Sequence, residues 1–297
     1  MAIKNLFRFK IQNPFRFGRD LWDPSNRFET SWLLSPWLLF AFRAVISLYA
    51  FVTRFFIIGW ECTHDVLGGC WTVRWSFSYF TILTYWGIAF YFAVAAVHTA
   101  TYALRGRALL DKLPRPLQAL HALFYSTIVT YPFLVTIVYW VVLYEGPWFP
   151  VKFNAWSNIS QHGLNSLFAL FEIVIPRTNP PKWIHIVWLI FILALYLALA
   201  YLTYATQGFY VYSFLDHTEV GGRGIVAGYI LGIAVGIVII FCIVWGVIWV
   251  RRWLTETKLG MDGKFAQQPA DTNDIELASS GNKYAIGNHP EAQDRVY

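Results

Sequence analysis

Residues 77–92 read FSYFTILTYWGIAFYF, sixteen positions without a charge and filled mainly by Phe, Tyr, Trp, Ile and Leu. A run of this kind must be buried, and the rest of the chain decides in what. Of 297 residues, 57% are hydrophobic, 19% aromatic and only 13% charged, too little polar surface for a water-soluble domain of this length. Several apolar runs exceed the length that separates a spanning helix from a core helix. The fold class is therefore all-α: a polytopic membrane protein with six transmembrane helices in one bundle. The six segments are read at 36–59, 77–103, 117–144, 155–175, 183–206 and 223–250. Three regions follow: a basic aromatic arm over 1–35, a transmembrane domain over 36–252, and a polar, disordered tail over 253–297.

Loop charge orients the bundle. The arm carries six Lys/Arg, the turn RGRALLDKLPRP (105–116) four, PRTNPPKW (176–183) two, and the last span ends in Arg251 and Arg252. Loops 61–76, 145–154 and 207–223 carry one each: Arg74, Lys152 and Arg223. The alternation is complete, so both termini are expected in the cytosol. The net charge of +6 then belongs to orientation signals and interfacial contacts, and no nucleic-acid partner is expected. The first 30 residues have no continuous apolar core, so the first span would act as the targeting signal. The expected location is the endoplasmic reticulum or plasma membrane. The sequon Asn158-Ile159-Ser160 falls on the non-cytosolic side, too near the bilayer for efficient glycosylation.

Cys62 and Cys70 share one loop and are either paired or two free thiols; Cys242 lies in the last span. Arg43 and Arg54, near opposite ends of the first span, are expected to snorkel to the two interfaces. Gly224, Gly228, Gly232 and Gly236 form a four-residue stripe, expected to pack tightly within the bundle.

The sequence holds no G-x-S-x-G elbow, P-loop, H-E-x-x-H or C-x-x-C. Its histidines are scattered singly, so neither a metal nor a cofactor is expected. What remains is polarity inside the membrane. The fourth span carries Asn158, His162, Asn165, Ser166 and Glu172 at spacings of three and four, one stripe facing the bundle interior. The second carries Thr81, Thr84, Tyr91 and His98 along a comparable face. Thr84 lies about eight residues inside its span and His162 about seven inside its own, so both sit ~10–12 Å below the same surface. At matched depth the imidazole can take the hydroxyl proton and the alkoxide can attack an ester carbonyl. Against this stands the ordinary role of a membrane Thr, which bonds its own backbone four residues back. Asn158, Asn165 and Ser166 are candidates to orient His162 or to donate to an oxyanion. Glu172, ~15 Å along the helix from His162, is too far to complete a triad. Asp216 and His217 lie at the non-cytosolic mouth, where capping or solvation is the expected role.

At these residues the chain resembles the androgen-induced membrane-protein family. WSNISQHGLNSLFALFE (156–172) is similar to the family's fourth span, with Trp156, Asn158, His162 and Glu172 in register. GFYVYSFLDH (208–217) resembles a second family segment, and ILTYWG (82–87) a short Leu-Thr-aromatic motif. The resemblance covers about residues 77–250. It implies a multi-pass threonine hydrolase acting on fatty acid esters of hydroxy fatty acids, with the catalytic threonine falling on Thr84 and the catalytic histidine on His162. Thr81 is the alternative one turn away. The chain departs from the family pattern at Ile159, Gly87, Tyr204-Ala205 and Ser213, which touches substrate identity more than reaction type. The rival reading is a non-catalytic lipid- or sterol-binding membrane protein, or a transporter. Against transport, the sequence has no internal repeat and no pair of Gly/Pro-broken helices.

Overall fold

The computed structural model describes residues 22–64, 69–263 and 265–266. Most of the basic arm (1–21) and of the tail (267–297) lies outside the described residues, and with them the expectations of interfacial binding and disorder.

Among the described residues the chain is helical throughout. Nine α-helices follow in order: α1 Pro36–Thr63, α2 Gly69–Val73, α3 Phe80–Arg105, α4 Arg115–Ile128, α5 Tyr131–Val138, α6 Lys152–Ile159, α7 Asn165–Val174, α8 His185–Gln207 and α9 Arg223–Arg252. Local chemistry sets several ends. The Ser35 side chain accepts from Leu38 N at 3.4 Å, with Pro36 at the first helical position,. α3 and α8 stop at Gly106 (φ 67°) and Gly208 (φ 79°), left-handed positions that glycine takes without strain,. The expected span 117–144 is broken at Val129–Thr130, where Pro132 in the first turn of α5 cannot donate a backbone hydrogen bond,.

Among the described residues, five helical stretches are long and apolar enough to cross a membrane: Pro36–Thr63, Phe80–Arg105, Arg115–Leu143, His185–Gln207 and Arg223–Lys258. The remaining expected span, 155–175, is helical as well. It forms α6, a π-helical segment Ser160–Leu164, and α7. Its polar stripe keeps its hydropathy below that of the other five. The protein is thus an all-helical, multi-pass membrane protein.

α1 runs antiparallel to α3 and to the α6–α7 stretch. Arg43 near its start meets Thr99 and Glu172, while Tyr49 meets Ser160 and Arg54 meets Gln161 further on. α3 and α6–α7 are therefore parallel to each other. The core between them contains Ile46 and Ala50 of α1, Ile88, Tyr91 and Phe92 of α3, Leu134 of α5, Ile173 of α7 and Phe241 of α9.

Three expectations are corrected or settled here. Arg43 and Arg54 do not snorkel, for each is 1% exposed. Arg43 pairs with Glu172 and also donates to Phe28 O at 2.7 Å and Thr99 Oγ1 at 2.6 Å. Described residues just ahead of α1 and just beyond α9 pack on the bundle. Ser31 Oγ donates to Ile175 O (2.7 Å), Trp32 Nε1 to Val174 O (2.7 Å), and Arg27 pairs with Glu256 beyond α9. Cys62 and Cys70 form a disulfide. Of the glycine stripe, Gly236 alone comes near another helix: a Cβ there would lie 3.8 Å from Leu134 Cδ1, whereas one at Gly224, Gly228 or Gly232 would meet nothing within 4 Å.

Candidate functional site

Thr84 lies in the first two turns of α3 and is buried. Its Oγ1 has no hydrogen-bond partner. The ordinary back-bond to the carbonyl four residues earlier is not made, although Thr99 and Thr203 make theirs, to Ala95 O at 2.7 Å and Leu199 O at 3.0 Å. An unpaired buried hydroxyl costs ~1–3 kcal/mol.

His162 is buried in the π-helical segment Ser160–Leu164. Such widened turns occur often at functional sites. The Asn158 carbonyl accepts from His162 Nδ1 at 3.1 Å. A carbonyl can only accept, so Nδ1 carries the proton and Nε2 keeps its lone pair. Nε2 has no partner among the described residues. The imidazole stacks on Tyr139, ring centres 3.5 Å apart and planes 10° from parallel. Tyr139 opens a second π-helical segment, Tyr139–Leu143. The two widened turns are tied together, with Tyr139 Oη donating to Asn158 Oδ1 (2.6 Å) and Trp140 Nε1 to the His162 carbonyl (2.8 Å). The ring of His162 is thus held on one face by an aromatic plane and on one edge by its own backbone.

α1 measures the relative depth of the two residues. Ser160 and Gln161 meet α1 at Tyr49 and Arg54 (2.7 and 2.6 Å). Trp86 of α3 faces Arg54 as well, its ring centre 6.0 Å from the guanidinium carbon. Thr84 and His162 therefore sit beside the same stretch of α1, on parallel helices. No hydrogen bond joins them.

The other expected residues divide. Asn158 holds His162 through its carbonyl and Tyr139 through its side chain. Asn165 and Ser166 make no hydrogen bond to His162. Both donate to Pro132 O (3.3 and 3.1 Å); Asn165 Oδ1 accepts from Thr136 Oγ1 of α5 (3.1 Å), and the Ser166 and Thr136 hydroxyls lie 2.6 Å apart. They knit α7 to α5. Thr81 lines an apolar cavity of ≈ 210 Å³ bounded by α3, α5, α8 and α9, with Phe80, Tyr196 and Tyr212 beside it. Tyr139 lines the same cavity, so one tyrosine separates this space from His162. Glu172 accepts from Arg43 and from Tyr91 Oη (2.9 Å) and makes no contact with His162. Asp216 accepts from Thr218 N (2.8 Å) and Thr218 Oγ1 (2.6 Å), a local turn.

Sequence reasoning missed Tyr139 and Trp140. Nothing in their spacing marks them, because their role depends on two widened turns meeting. No group of three or more His, Cys, Asp or Glu able to hold a metal ion occurs among the described residues.

The fold is that of a polytopic helical membrane protein with polar side chains buried inside the bundle. Residues 38–246 match the family model described as FAR-17a/AIG1-like protein, well over half of the chain. The chain belongs to that family. No curated protein and no solved structure matches it.

Proposed function

We propose that the protein is an intramembrane hydrolase of lipid carboxylic esters, of the fatty acid ester of hydroxy fatty acid type, with Thr84 as nucleophile and His162 as base. What supports the reading is an orphaned buried hydroxyl, Thr84, and an imidazole, His162, whose Nε2 is free to accept. Family membership fits a hydrolase-like membrane function. The His162 tautomer fits a general base: Nε2 accepts the Thr84 proton while Oγ1 bonds to the ester carbonyl carbon. The C–O bond to the alcohol then breaks, and the imidazolium returns its proton to the departing oxygen. Water, deprotonated by the same nitrogen, releases the fatty acid from Thr84. Substrate binding must close the Thr84–His162 distance, as catalytic hydrogen bonds often tighten only in the complex.

In this reading the α6–α7 stretch is the sixth span, both termini are cytosolic, and the loops 61–76, 145–154 and 207–223 share the opposite side. The bound acyl chain occupies the apolar cavity behind Tyr139. Thr81 is the alternative nucleophile, favoured by its place on the cavity wall. The membrane is the endoplasmic reticulum or the plasma membrane.

The experiment is ester hydrolysis by purified wild type, Thr84→Ala, Thr81→Ala and His162→Ala, with labelling by a fluorophosphonate probe. Loss of turnover and labelling in Thr84→Ala and of turnover in His162→Ala supports the assignment. Loss in Thr81→Ala alone moves the nucleophile one turn. Normal hydrolysis by folded Thr84→Ala and His162→Ala proteins sinks the proposal.

A further inference from the structure

Five of the buried side-chain atoms without a hydrogen-bond partner fall at 53–54 of α1 and 84–86 of α3. Thr53 Oγ1 and Arg54 Nε of α1, and Thr84 Oγ1, Tyr85 Oη and Trp86 Nε1 of α3, are all buried and unpartnered. Two short stretches on packed helices contribute all five. The Tyr85 hydroxyl lies beside that of Thr53 without reaching hydrogen-bond geometry, and the Arg54 guanidinium lies 6.0 Å from the Trp86 ring centre. Every one of these groups can donate a hydrogen bond, and Arg54 and Trp86 can do nothing else. A cluster of donors calls for an acceptor.

Charge narrows the choice. Arg54 is 1% exposed and makes no ion pair among the described residues; its one hydrogen bond goes to the neutral Gln161 Oε1 at 2.6 Å. Glu61, the acidic group that acts on it most, lies seven residues further along α1 and does not contact it. Arg43, on the same helix, is by contrast saturated by Glu172, Phe28 O and Thr99. A buried guanidinium without a counter-charge is unfavourable until something anionic reaches it. The surroundings supply the rest of the ligand's description. Phe51 and Phe55 pack on Trp86 (5.9 and 5.4 Å between ring centres), and Phe55 and Phe90 are exposed on the outer faces of their helices. Apolar rings thus surround the donor cluster on its outer side.

We propose that Arg54, with Thr53, Tyr85 and Trp86, binds the free carboxylate of an amphiphilic lipid. One guanidinium balances one negative charge, and a carboxylate offers about four lone-pair positions to the donors around it. The proposal deepens the hydrolase reading, on which its placement beside Thr84 and His162 rests: the free acid group that an ester of this type already carries would be held at Arg54. Arg54 is then a specificity residue for the ester reaction.

The test is photo-crosslinking of the purified full-length protein in lipid nanodiscs at pH 8. The probes are an alkyne-tagged diazirine palmitic acid and its methyl ester. Wild type is expected to label at least fivefold more strongly with the acid. Arg54→Gln brings the acid-to-ester ratio to about one. His162→Ala loses hydrolysis yet keeps the wild-type ratio, which separates binding from chemistry. A wild-type ratio near one, or an unchanged ratio in folded Arg54→Gln, overturns the carboxylate site whatever the hydrolysis assay reports. A ratio that depends on Arg54 in a protein that hydrolyses no ester leaves the site standing and removes the hydrolase reading. Where Arg54→Gln fails to fold, the position of the wild-type adduct decides. Adducts on residues 50–57 or 81–90 support the proposal, and adducts confined elsewhere overturn it.

Discussion

Replacing Glu172 by Gln should destabilise the bundle severely, and the structure sets the size of the effect. Glu172 is 0% exposed and Arg43 1% exposed. Glu172 takes two hydrogen bonds from Arg43 and a third from Tyr91 Oη. Gln keeps the shape but removes the charge, and leaves the Arg43 guanidinium buried without a counter-ion. Breaking a buried pair from one side costs ~3–5 kcal/mol. Arg43→Met should cost less, because a lone carboxyl can take up a proton whereas a guanidinium cannot lose one. The double variant Arg43→Met/Glu172→Met buries no charge and should recover most of the loss, which gives a coupling of at least ~2 kcal/mol. The measurement is a double-mutant cycle on unfolding of the purified protein in one detergent, followed by tryptophan fluorescence. Additive costs, or a loss under ~1 kcal/mol for Glu172→Gln as expected of a solvent-exposed pair, would refute the reasoning.

Tyr139→Phe keeps the stacking on His162 but loses the hydrogen bond to Asn158. A bond of ~1 kcal/mol corresponds to roughly a fivefold fall in kcat, with KM unchanged, whereas Tyr139→Leu should abolish turnover; equal activity of all three proteins would remove Tyr139 from the site. Without reductant, a water-soluble maleimide should leave Cys62 and Cys70 unmodified, since they are bonded, and Cys242, on the lipid-facing surface of the α9 span, should not react either. Replacing Cys62 and Cys70 by Ala should cost ~2–3 kcal/mol of stability for so short a loop, and mass spectrometry and thermal unfolding check the two outcomes. Glu29, ahead of α1, is held well above its ordinary 4.5, first by burial and then by the charge of Asp23. The unfolded carboxyl loses its proton first, so stability falls as pH rises from about 4.5 toward the raised folded value,. Glu29→Gln should flatten that slope and stabilise the protein at pH 8, and unfolding midpoints at pH 5 and pH 8 measure it.

Composition alone was enough for a helical membrane protein, because hydrocarbon admits few backbone solutions besides helices. The polar stripe of 155–175 was legible, since it depends only on helical spacing and on the cost of polarity in lipid. The WSNISQH segment already pointed to the family. The fate of Arg43 and Arg54 was not legible: a charge near a helix end snorkels or pairs according to what the neighbouring helices present. Glu172 lies 129 residues from Arg43 in the chain, and local spacing says nothing about that distance. Asn165 and Ser166 share the stripe with His162, yet the widened turn at Ser160–Leu164 directs them to Pro132 and Thr136 instead. The clamp of Tyr139 and Trp140 on His162 arises only where two such turns pack together. The donor cluster at Arg54 likewise exists only across α1 and α3. The sequence determined which groups enter the membrane; the packing of the helices decided which of them are satisfied and which are left to bind something else.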